Sequence, residues 1–166
     1  LGGQGKLMAI DKNQAVIDFI LTCPSIAENP VFFNAINAED NTKEIVTIAN
    51  DRATHKPFID GSVEKQYTFT IMDFRSMSYL PIVIGTGYSN ENVEDMLDVQ
   101  GVIDWIEDQN DARNVPNFGT DCVIDSIHTG TDNPNLNGLD TNSSPALAKY
   151  SISVVINYLD NSKALY

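Results

Sequence analysis

The chain has 166 residues, 23 acidic and 10 basic side chains, a formal net charge of −13 and a pI near 4.2. The length suits one domain with its own core, and 42% apolar residues exclude a disordered chain. The charge argues against a protein that clamps nucleic-acid phosphates or docks on an anionic membrane, and no run approaches the roughly 18 apolar residues of a membrane-spanning helix.

Residues 1–10 open with Leu1-Gly2-Gly3-Gln4-Gly5 and read as an N-terminal arm or a cloning remnant, with Met8 as a natural start. No basic segment followed by an apolar one opens the chain, so no secretion signal is expected. A single domain then spans residues 11–166. Its first helix is predicted over Asp11–Cys23, with Asp11 as N-cap, Gln14 at the capping-box position and Val16, Ile17, Ile20 and Leu21 inward. Pro24 ends it, and Ser25–Pro30 is a turn. Short strands follow at Val31–Ile36 and Lys43–Asn50. Phe58–Ser62 is a short edge piece with a glycine turn. Glu64–Phe74 is a long strand with Tyr67, Phe69 and Ile71 on one face.

Arg75–Asn90 is irregular. A second helix is predicted over Asn92–Gln109, with Val93, Met96, Leu97, Val102, Ile103 and Ile106 inward; Gly101 marks a bend or a close contact. After a loop comes a strand at Asp121–His128, then a long polar loop, Thr129–Pro145. The last strand, Lys149–Leu159, places Tyr150, Ile152, Val154, Ile156 and Tyr158 on one face. The order α-β-β-β-α-β-β predicts an α+β domain: a mainly antiparallel sheet, two helices packed on one face, and long loops.

Chemical motifs are sparse. Gly85-Thr86-Gly87 sits where a dinucleotide loop would, but position 90 is Asn and the following helix opens with acids that repel a pyrophosphate. Asn133–Ser144 imitates calcium-loop spacing without its charged first and twelfth ligands. His55 and His128 are distant in sequence, Cys23 and Cys122 have no reason to pair, and no zinc or nucleophile spacing appears. No catalytic, cofactor-binding or metal-ligating residue is therefore assigned, and no cofactor is expected. One charge feature stands out. Glu91, Glu94, Asp95, Asp98, Asp104, Glu107, Asp108 and Asp111 put eight acids into 21 residues with no Lys or Arg between them. Pairs four apart repel by a few tenths of a kcal/mol each. The face is either solvated, or turned to a basic partner or a passage where nucleic acid must slide without sticking.

The layout resembles a family. It runs from Cys23-Pro24 after the first helix through Phe58-Ile59-Asp60-Gly61-Ser62 into Tyr67-Thr68-Phe69-Thr70-Ile71. Asn92 and Trp105-Ile106 follow on the later helix, then Pro116, the loop with Thr131 and Pro134, and a close on Ala148-Lys149-Tyr150 and Asn157-Tyr158. Over about residues 11–160 this order is similar to the tail terminator (tail completion, or minor capsid) proteins of long-tailed bacteriophages and prophages. The resemblance implies a structural protein of the virion tail and neck, assembled in the host cytoplasm and without enzymatic activity. It would form a homo-oligomeric ring, usually a hexamer, on the head-proximal end of the tail tube. The ring ends tube polymerisation and meets the neck or head-completion protein, and DNA passes through its lumen without specific binding. Another phage neck or tail-tube subunit, or a small ligand-binding or hydrolase domain, are the alternatives.

Overall fold

A computed structural model describes residues 11–35, 39–48, 56–77, 91–142 and 146–165. Helices α1 (Lys12–Ile20) and α2 (Pro24–Ala27) precede strands β1 (Val31–Phe33), β2 (Lys43–Ile48), β3 (Lys56–Pro57) and β4 (Val63–Ser76). Helix α3 (Glu91–Asp111) precedes β5 (Cys122–Thr129), β6 (Asn135–Asp140) and β7 (Leu147–Asp160). The domain is α+β: seven strands form one sheet in the order β1-β2-β4-β7-β5, with β3 on β4 and β6 on β7. Every pairing is antiparallel except β1 with β2.

The two long strands β4 and β7 pair along their whole length, from Val63 opposite Asp160 to Ser76 opposite Leu147. Residues directly opposite share a face, so the register builds apolar rows across the sheet. Ile45, Ile71 and Ile152 form one; Thr47, Phe69 and Val154 the next; Tyr67, Ile156 and Ile127 a third. Val16, Phe19 and Ile20 of α1 and Val99, Val102, Ile103 and Ile106 of α3 cover these rows in one continuous core. Phe19 stacks on Trp105 at a ring-centroid distance of 5.1 Å, closing the seam between α1 and α3. The opposite face carries Gln66, Thr68, Ser151 and Ser153, while Phe74 and Leu147 on the same face are buried toward its other end. No described helix is long and apolar enough to cross a membrane.

Several local expectations are corrected. The first helix stops at Ile20, and Phe19 turns inward while Leu21 is exposed. Asp11 does cap it, accepting from the Asn13 amide, but Gln14 donates to Asp18 instead of closing a capping box. Pro24 starts a helix rather than ending one: it occupies the first turn of α2, where its missing N–H costs nothing. The edge piece is Lys56–Pro57, and Phe58–Ser62 is the tight turn after it, closed by Gly61 N–H to the Phe58 carbonyl. Gly61 has φ +89°, and a Cβ there would collide with the Lys163 carbonyl, so only glycine fits.

The polar loop Thr129–Pro145 contains a strand. β6 pairs with β7 through a bulge at Asn137, which brings Leu136 opposite Tyr150 and Leu139 opposite Ala148, both on the helix side. This also removes the calcium-loop reading, because its central residues are strand. On α3, Val93, Met96 and Leu97 are exposed and Val99 is buried, so the first two turns do not pack as expected. The Gly85-Thr86-Gly87 motif, His55 and the N-terminal arm lie outside the described residues.

Gly101 neither breaks α3 nor approaches a neighbour; a Cβ there would meet nothing within 4 Å. Gly101→Ala is therefore expected to raise stability by about 0.5–1 kcal/mol, read as a higher urea midpoint at unchanged slope.

Candidate functional site

The acidic helix α3 is the feature on which function was expected to turn, and the structure divides its eight acids into three groups. The first is anchored to buried cations. On the helix-covered face, the row beyond Ile45, Ile71 and Ile152 holds Lys43, Asp73 and Tyr150, and the next holds Arg75 beside Ala148. Strand parity thus drives three charged residues into the apolar side, where Lys43 and Asp73 are no more than 2% exposed.

They survive there by pairing. Asp73 Oδ1 accepts from Arg75 Nε at 2.8 Å and Oδ2 from Nη2 at 3.1 Å, a two-point fork. Lys43 Nζ lies 3.3 Å from Asp73 Oδ2. Arg75 Nη1 then reaches across to α3, 3.3 Å from Asp98 Oδ2 and 3.6 Å from Asp95 Oδ1. Burial pushes the Lys43 ammonium down from its ordinary value against the pull of Asp73. Burial pushes the Asp95 carboxyl up, and the Arg75 guanidinium only partly offsets it. Two acids of the supposed open face therefore fasten the first half of α3 to the sheet.

The second group is Glu107. Its Oε1 accepts from the Thr129 amide at 2.8 Å and the Thr129 hydroxyl at 2.9 Å; its Oε2 lies 3.0 Å from His128 Nδ1. Burial pushes this carboxyl up, but the bonds from Thr129 and His128 outweigh it and hold it below the ordinary range. Three residues on, Asn110 Oδ1 accepts from the Ile127 amide, and Arg113 Nη1 donates to the Asp125 carbonyl. Positions 107, 110 and 113 thus occupy successive outward groups of β5, and a sheet edge that would template another strand is closed by side chains.

The third group, Glu91, Glu94, Asp104, Asp108 and Asp111, is exposed and forms no ion pair among the described residues; Asp104 accepts from Gln100 at 2.9 Å. These five are the acidic face that remains.

No protein-family model and no curated protein matches this chain.

The chemistry of the arrangement is read from its own atoms. Lys43 and Arg75 are saturated by carboxylates and Lys43 is sealed from solvent. Both cysteines are free thiols, and burial pushes each up, away from the thiolate. Among the described residues no three His, Cys, Asp or Glu side chains converge on a point where a metal ion would sit. His128 is half-exposed and turned to Glu107. The geometry builds an acidic helix surface beside one blocked sheet edge.

The cluster at Asp73 was missed by sequence reading, although a signal existed. Lys43, Asp73 and Arg75 occupy the same alternation as Ile45, Phe69 and Ile71, and a charge at the buried parity of a strand demands a partner.

Asp73→Asn leaves Lys43 and Arg75 buried without their shared anion, so a loss of about 3–5 kcal/mol is expected, while Glu94→Gln at the exposed face changes stability by less than about 0.5 kcal/mol; chemical denaturation of both checks this. Glu107 has a depressed folded-state value. Its contribution is complete above the unfolded value of about 4.3 and is lost as pH falls through the folded one. Glu107→Gln is expected to be less stable than the parent at neutral pH, with the gap closing between about pH 5 and pH 3, read from urea midpoints across that range.

Proposed function

We propose that this chain is a structural subunit of a long-tailed phage or prophage particle. It caps the head-proximal end of the tail tube as a homo-oligomeric ring, ends tube polymerisation, and joins tail to neck. Two things support the reading: the order of sequence features that resembles the tail terminator family, and the unequal treatment of the sheet's edges. The second carries it.

The β5 edge is closed by Glu107, Asn110 and Arg113. On the two opposite sides of the sheet, no described strand pairs with the outer side of β1 or of β6. β6 also exposes Leu136 and Leu139, each 52% accessible. Soluble proteins blunt such edges unless the edge is used. Two different edges without a described neighbouring strand, on opposite sides of one sheet, suit head-to-tail association, which closes into a ring when the rotation allows. Side-by-side contact through β5 is set aside by its capping side chains.

In such a ring the five unpaired acids of α3 line the lumen or its rim. Their charge repels the DNA backbone at distances up to roughly a Debye length, about 8 Å at physiological salt, so DNA passes without lodging. Tube protein and neck protein meet the two axial faces.

Purified protein imaged alone and with tail tubes should show closed rings, free or on tube ends. Leu136→Lys should dissociate the rings while leaving the circular dichroism spectrum of the subunit unchanged. A monomer under every condition overturns the reading, and turnover of a model ester or phosphate favours the hydrolase class instead.

A further inference from the structure

A groove of about 660 Å³ runs between α1 and the segment Asn114–Asn117 that follows α3. Ala15, Phe19, Val115 and Pro116 supply its apolar lining. Its α1 rim carries Asp11 and Asp18, both exposed. Seven residues apart, they stand on one side of the helix two turns from each other, about 10 Å along its axis. Each uses only Oδ1 locally: Asp11 accepts from the Asn13 amide at 2.9 Å, Asp18 from Gln14 Nε2 at 2.7 Å.

The neighbouring cations are committed elsewhere. Lys12 lies over the Phe118 and Tyr158 rings, 5.9 and 5.6 Å from their centroids, and Arg113 donates to Asp125. No cation lines the groove, and neither carboxylate forms an ion pair among the described residues. The volume is that of a ligand or peptide site. The lining is an apolar floor with two carboxylates spaced along one wall.

We infer that this groove docks a short basic segment of a partner protein. An apolar side chain of the segment rests on the partly exposed Ala15 and Val115, while two Lys or Arg residues meet Asp11 and Asp18. Charge complementarity decides the occupant: an acidic segment is repelled by the rim, and a neutral one leaves both carboxylates without a partner. The spacing narrows it further. Basic residues three apart in a polyproline-type segment, rising about 3.1 Å per residue, stand on one side roughly 9 Å apart and match the rim. The overall charge of −13 steers such a segment in. This inference stands whether or not the chain forms a ring.

The test uses the full chain and a fluorescent acetyl-Arg-Pro-Leu-Arg amide peptide, with its Glu-Pro-Leu-Glu counterpart, followed by anisotropy. Asp11→Asn/Asp18→Asn keeps the helix cap, because Asn caps as well as Asp. Glu94→Gln/Asp108→Asn removes the same charge from α3 and serves as the control. The basic peptide should bind the parent, bind the α1 variant at least tenfold more weakly, and bind the control within twofold of the parent; the acidic peptide should not bind. The inference is overturned by any of four results. These are no binding of the basic peptide, equal weakening by both variants, equal binding of the acidic peptide, and parent self-association that the α1 variant abolishes, which would give the groove to a second copy.

Discussion

The fourteen-residue antiparallel pairing of β4 with β7 is the constraint from which the rest of the structure follows. It is long enough to need partners on both outer sides: β2 and β3 along β4, β5 and β6 end to end along β7. Because opposite residues share a face, one register decides which side chains form the floor under α1 and α3. A slip of β4 by one residue against β7 would carry Tyr67, Phe69 and Ile71 to the solvent face together. The same register sets Lys43, Asp73 and Arg75 in a buried row, so the charge cluster is a product of strand parity and of the long pairing, with no loop involved.

That cluster changes the meaning of the acidic helix. A run of like charges is usually read as one solvated surface. Here Asp95 and Asp98 complete the coordination of Arg75, and Glu107 satisfies β5, so the helix uses its acids at both ends as attachments. The arrangement suits α3 well. Its first two turns bury little apolar surface, with Val93, Met96 and Leu97 exposed, and ionic contacts replace packing there. Replacing the buried charges by apolar residues of similar volume need not weaken the fold; what the ions supply is a single seating for the helix.

Much of the fold was legible where periodicity was strict. Tyr150 to Tyr158 places an aromatic or aliphatic residue at every second position, Tyr67 to Ile71 likewise, and Asp11 followed by Val16 and Ile20 announces α1. β6 was hidden because its bulge at Asn137 puts Leu136 and Leu139 three apart, a spacing that alternation does not score as strand. β5 has the same irregularity between Ile124 and Ser126 and was found because it is longer. Pro24 misled because proline both follows helices and begins them. The acidic run was visible at once, but its division into anchors and free face was not. That depends on Arg75 and Thr129, which approach α3 only through tertiary structure. The α1 groove left no mark in the sequence, since Asp11 and Asp18 acquire their apolar floor from a segment about a hundred residues away.

The closure of β5 by side chains from the end of α3 and the turn after it has a dynamic consequence. Glu107 and Asn110 sit on the last turns of α3, with Arg113 two residues beyond its end, and the amides that the first two hold, at Thr129 and Ile127, cannot exchange with solvent while those turns stay wound. Fraying of the helix end and opening of the strand edge become one event. The C-terminal half of α3 and β5 therefore form a single cooperative unit of local unfolding, separate from the β4–β7 spine.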